Sequence, residues 1–106
     1  MNLLEIERGA EPRTLTLAGE LDASNAPSLA DALAAQHEEQ GDVHLDVSRL
    51  ICLDSVGLGT LIAAAKRLDR GRLVLVSPTI PVSRVLELSG IVSALPNLVV
   101  EGNPGS

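Results

Sequence analysis

No phenylalanine, tyrosine or tryptophan occurs among these 106 residues. A platform for stacking nucleobases is therefore missing, and the core has to be built from Leu, Val, Ile and Ala. Such a core tolerates little enlargement of its side chains. Basic residues are scarce as well. Eight Lys and Arg stand against 14 Asp and Glu, giving a formal charge of −6, and Lys66 is the one lysine. Without clustered cations the chain cannot grip a phosphate backbone, so nucleic-acid binding is disfavoured. The single cysteine, Cys52, excludes an internal disulfide and fits a reducing compartment. Flanked by Ile51 and Leu53, it reads as a small buried hydrophobe rather than a nucleophile. No apolar run approaches the ~20 residues that span a bilayer. Glu5, Glu7 and Arg8 interrupt the N-terminal apolar residues before a signal peptide can form. Membrane insertion is not expected, and a cytoplasmic protein is.

What is present suits one domain, residues 1–106, with a core from about 3 to 100 and a flexible tail over 101–106. Asn2 to Glu7 alternates weakly, Gly9 to Pro12 supplies turn residues, and Thr14 to Leu17 alternates polar with apolar. Together these predict an opening hairpin, followed by a loop over Gly19 to Asp22. A first helix starts near Ser24 or Asn25, either of which can cap it, with Pro27 in its first turn. Its apolar stripe is Ala26, Leu29, Ala30, Leu33 and Ala34; Gln36 to Gln40 is its polar end and Gly41 its stop. Val43 to Val47 is apolar enough for a central strand, followed by a connection, Ser48 to Cys52. Leu58, Leu61, Ile62, Ala65 and Leu68 recur at helical spacing and predict a helix from Ser55 to about Asp69, stopped at Gly71 in a left-handed conformation. Leu73 to Val76 is another strand. Thr79 caps a third helix that ends at Ser89, with Gly90-Ile91 as a Schellman stop. Leu98 to Val100 is the last strand. The order β-β-α-β-α-β-α-β implies an α/β fold with a mixed sheet and a parallel core.

The stretch that organises the rest is Leu53-Asp54-Ser55-Val56-Gly57-Leu58-Gly59-Thr60, where strand gives way to helix. Ser55 is the natural N-cap there, beside unpaired N–H groups and the positive end of the helix dipole. Those donors also suit a phosphate carried on the hydroxyl. Read from the turn alone, Ser55 caps the helix, and modification is the less common role. Gly57-Leu58-Gly59 does not complete a dinucleotide loop, because Ile62 stands where the pattern needs Gly or Ala. No Gly-Lys-Ser/Thr marks a P-loop either. The two glycines leave an uncluttered helix start that another molecule's backbone can approach. Leu53 stands where a nucleophile elbow needs glycine. His37 and His44 are not placed as bases for Ser55, and no ligand cluster marks a metal site. Neither an enzyme nor a cofactor is expected. Asp46 lies near a strand end, where receiver domains carry a phosphorylated aspartate. The acidic pair and lysine that such domains need are missing, so Asp46 reads as a residue bonding to nearby backbone.

Three segments occur together in order: Leu17-Ala18-Gly19-Glu20-Leu21-Asp22, then Leu53 to Gly59, then Val85-Leu86-Glu87-Leu88-Ser89-Gly90-Ile91. Through them the chain, from Leu3 to Val100, resembles the STAS domain family, specifically its bacterial anti-sigma factor antagonists. The resemblance implies a mixed sheet of about four to five strands with helices packed largely on one face. It implies that Ser55 is phosphorylated by a partner anti-sigma factor, a GHKL-type kinase using ATP. The unphosphorylated antagonist binds that partner and frees the sigma factor; the phosphorylated form lets go until a PP2C-type phosphatase resets it. Partner contacts then fall on Asp22, Ser24, Asp54 and Ser55, with Val56, Gly57, Leu58 and Gly59 supplying apolar contact and close approach. Val56 departs from the family, which usually has Ser or Thr there. This leaves one acceptor and removes a polar group that serves the switching enzymes. Other STAS domains act unmodified as binding modules in larger assemblies, lipid-transport complexes included, and that is the alternative.

Overall fold

The computed structural model of the chain describes residues 3–37 and 41–102. The opening hairpin forms from β1 (Leu4–Arg8) and β2 (Thr14–Leu21), antiparallel, with Ile6 opposite Leu17. Arg13, at φ 61, closes the turn. Its guanidinium donates to the carbonyls of Gln36 (2.8 Å), Gly41 (2.9 Å) and Asp42 (3.0 Å). The fork of one arginine thereby fastens the hairpin to the distant connection that enters the next strand. β2 runs through to Leu21, so Gly19 to Leu21 is strand and not the expected loop. Gly19 sits there at φ 105 with its α-carbon against the Leu3 carbonyl. A glycine inside a strand marks such a close approach as readily as an end.

β3 (Val43–Leu53) likewise outlasts its expected end at Val47 and absorbs the predicted connection. It pairs in parallel with β2, and it carries extra residues at two points. Thr16 faces Asp46 while Ala18 faces Arg49, and Gly19 faces Leu50 while Glu20 faces Cys52. Each bulge resets the alternation, so the buried spacing changes from two, at Val43, Leu45 and Val47, to three, at Leu50 and Leu53. This overturns the expectation for Cys52, which is exposed, as is Ile51 at 59%. Asp46 lies at the first bulge, where its Oδ1 accepts from the Ser48 N–H (2.9 Å) and hydroxyl (2.7 Å).

β4 (Leu73–Val76) and β5 (Leu98–Glu101) complete a five-stranded sheet in the order β1-β2-β3-β4-β5, with every pair after the first parallel. Of the expected tail, Glu101 belongs to β5, opposite Val76, and Gly102 follows it at φ 82; residues 103–106 and the helix end at 38–40 lie outside the described residues. The crossovers are α1 (Ala26–His37), α2 (Ser55–Arg67), and α3 (Ile80–Ser89) followed by a short α4 (Ile91–Ala94). One core cluster joins Leu29 and Leu33 of α1, Leu61 and Ala65 of α2, and Val82 and Leu86 of α3 to alternate strand residues such as Leu17, Leu45 and Leu75. The helices therefore cover one face of the sheet, and the intervening row of His44, Val74 and Val99 points the other way. Ala30, placed on the buried stripe of α1 by its spacing, is exposed.

Two helix ends differ from the sequence reading. α2 stops at Arg67, four residues before Gly71, and the Ala65 carbonyl accepts both the Leu68 N–H at 3.2 Å and the side-chain amide of Asn97 at 2.6 Å. Gly71 does not take positive φ; a side chain there would run into the Gly41 carbonyl. At Gly90 the left-handed stop forms, φ 69, with its N–H on the Glu87 carbonyl. The Ile91 N–H then goes to the Ser89 hydroxyl at 3.3 Å instead of a carbonyl of α3, so the full Schellman pattern gives way to α4. Thr79 occupies the cap position of α3, but its hydroxyl donates to the Leu50 carbonyl at 2.7 Å. That carbonyl lies in the part of β3 beyond its pairing with β4.

Candidate functional site

Leu21 pairs with Leu53, so β2 and β3 end side by side and the segments leaving them run together. Asp54 is the N-cap of α2, at φ −96 and ψ 179, and Ser55 is the first helical residue. This corrects the capping assignment. Aspartate caps as well as serine does, and the longer β3 delivers the extended conformation to residue 54. Asp54 Oδ1 accepts from the Gly57 N–H at 2.8 Å, and Oδ2 accepts from the Ala23 N–H at 3.2 Å. The Asp54 N–H donates to the Leu21 carbonyl at 3.2 Å. Relieved of capping, Ser55 is exposed, and its hydroxyl has no hydrogen bond among the described residues.

The 22–25 segment is fastened from within. Asn25 is 2% exposed. Its Oδ1 accepts from the Asp22 N–H and its Nδ2 donates to the Glu20 carbonyl, both at 2.9 Å. Satisfying both ends of the amide is what makes burial tolerable. Sequence reasoning saw Asn25 only as a possible cap, because no spacing signals a side chain turned back to the strand it follows. Asp22 Oδ1 accepts from the Ser24 hydroxyl (2.6 Å) and N–H (2.9 Å). The Ser24 hydroxyl first, then the Ser24 N–H and less strongly the Asn25 N–H, hold the Asp22 carboxyl below its ordinary value, against an opposing effect of desolvation.

The motif glycines divide. Gly57 is buried, and a Cβ there would lie 2.7 Å from Leu21 Cγ and 2.9 Å from Leu53 Cδ1. It lets α2 close on the two strand ends and presents no surface. Gly59 is exposed with nothing within 4 Å of a Cβ. Val56 is 49% exposed, while Leu58 is half-buried and packs on the core. A cleft of about 280 Å³ between α1 and α2 opens at Val56 and Gly59. The structure thus brings Asp22 and Ser24 to the same end of the sheet as Asp54, Ser55, Val56 and Gly59. His44 lies toward the other end of β3, nine residues from Leu53 and so roughly 25–30 Å away at strand rise. No described side chain stands against Ser55 as a base.

The family model described as "Mlab, STAS domain" matches residues 4–99. The anti-sigma-B factor antagonist of Listeria monocytogenes is 31% identical over 99 residues, covering 91% of this chain and 87% of that protein. Among solved structures, an anti-sigma factor antagonist from Mycobacterium paratuberculosis superposes with a TM-score of 0.78 at 24% identity, over 91% of this chain and 85% of that one. The antagonist SpoIIAA in its unphosphorylated form does so with a TM-score of 0.65 at 20% identity, over 93% and 88%. A helix-covered mixed sheet, an Asp-Ser turn at its end and a family match over residues 4–99 agree: the chain belongs to the STAS domain family.

Proposed function

We propose that this chain is a cytoplasmic anti-sigma factor antagonist. Unphosphorylated, it binds an anti-sigma factor with GHKL-type serine kinase activity through the surface around Ser55 and so frees the sigma factor. Phosphorylation of Ser55 by that partner turns binding off, and a PP2C-type phosphatase restores it. The observation that carries this reading is the Ser55 hydroxyl, exposed on the first turn of α2 and without a hydrogen bond among the described residues, Asp54 having taken over capping. A kinase can reach it without dismantling the helix. The N–H groups of Ser55 and Val56, in the first turn of α2, have no helical carbonyl to donate to and suit an attached phosphate.

A phosphate adds about −1.5 to −2 charges on a surface already carrying Asp22 and Asp54. Closed inside an interface without a cation, such a charge costs several kcal/mol, enough to weaken affinity ~100-fold or more. Val56 favours the alternative reading, an unmodified binding module of a larger assembly, because an exposed valine stands where the resemblance places Ser or Thr. Incubation with the kinase partner and Mg-ATP decides between them. One phosphate on Ser55, absent in Ser55→Ala, supports the switch; an unmodified chain that still binds its partner supports the module. The chain alone should not bind Mg-ATP at micromolar concentration in calorimetry, since the nucleotide belongs to the partner.

A further inference from the structure

We propose, resting on the reading of Ser55 as phosphoacceptor, that Asp54 is a positioning residue whose carboxylate locks the β2–α1 connection to the start of α2. The partner then meets Ser24 and Ser55 as one rigid surface. Oδ1, on the Gly57 N–H at 2.8 Å, does the ordinary work of a cap, which Ser, Thr or Asn does equally well. Oδ2, on the Ala23 N–H at 3.2 Å, does something no cap requires. It needs a second acceptor oxygen on the same side chain. Asn offers a donor there and Ser has a single short oxygen, so aspartate is the one small capping residue that can do both. The remaining side-chain bonds of the connection stay within it or return to β2: Ser24 to Asp22, and Asn25 to Asp22 and Glu20. Among the described residues, the Ala23–Asp54 bond alone carries a side-chain tie from this connection to α2.

Two variants remove that tie and keep the cap. Asp54→Asn retains a capping oxygen and loses the second acceptor. Ala23→Pro deletes the donor and leaves the Asp54 charge in place. Residue 23 is the second of a turn in which the Asn25 N–H reaches the Asp22 carbonyl at 3.2 Å, a position that suits proline. In both variants amide exchange at Asn25 and Ala26 should quicken about tenfold, the equivalent of ~1.4 kcal/mol, while the Gly57 amide stays protected. With the kinase partner and Mg-ATP, KM for the antagonist should rise about tenfold with kcat little changed, as for lost ground-state binding. A residue that merely caps α2 predicts wild-type exchange and wild-type KM in Ala23→Pro. Unchanged exchange in the two variants, or faster exchange with an unchanged KM, overturns the proposal. Failure of any kinase to modify the wild-type chain would sink the Ser55 reading instead, and the exchange rates would still decide whether Asp54 holds the connection.

Discussion

A methyl group added at Gly57 would press on Leu21 and Leu53, whereas one added at Gly59 would meet nothing within 4 Å. Gly57→Ala should therefore destabilise the fold by ~1–3 kcal/mol through overpacking. Gly59→Ala should stabilise it by up to ~1 kcal/mol through helix propensity. Urea denaturation of the two variants checks both signs. The Asp22 carboxyl, held low first by the Ser24 hydroxyl, titrates in the folded chain below its ordinary value of 3.8. Asp42 is held low in the same way by Arg72, 2.8 Å away. Their contribution to stability is thus present above 3.8 and lost as pH falls through the lowered folded values. Carboxyl NMR titration should show both midpoints below 3.8, with Ser24→Ala moving Asp22 back toward it and leaving Asp42 unmoved. At this scale the sequence located the turn but misassigned its parts. Ser55 and Asp54 are both good caps and adjacent, so only the true end of β3 decides which of them caps.

Among the elements, α2 was the most legible, because a single apolar period runs through it from Leu58 to Ala65 and on to its C-cap, Leu68. Leu61 is 1% exposed and Lys66 lies on the outer face. Leu61→Ala should cost ~2–5 kcal/mol as a buried truncation, and Lys66→Ala within about half a kcal/mol. Equal losses in thermal unfolding would show that the helix face is wrongly assigned. β3 was the least legible. Its two bulges break the alternation that identifies a strand, so Ser48 to Cys52 looked like a connection and Cys52 like core. α4 left no signal either, being one turn long directly after a left-handed glycine.

At the scale of the whole molecule, the α/β order followed from continuous apolar strands alternating with helices, whereas the helices' packing on one face was implied by the resemblance to the STAS family. What no local pattern could supply was the side-by-side ending of β2 and β3, which joins residues 22–25 to residues 54–59 across a long stretch of chain. On the proposed reading, that juxtaposition is what would let a partner feel one charge added at Ser55 beside Asp22 and Asp54. The most direct test compares Ser55→Asp with Ser55→Ala for binding to the anti-sigma partner by calorimetry. Both should fold like the wild type: Asp54 keeps the cap, and an aspartate in the first turn suits the helix dipole. Ser55→Ala should retain wild-type affinity, while Ser55→Asp should bind markedly more weakly, by ~10-fold or more. Equal affinity of a well-folded Ser55→Asp, with no phosphate found on Ser55 in cells, would contradict the switch.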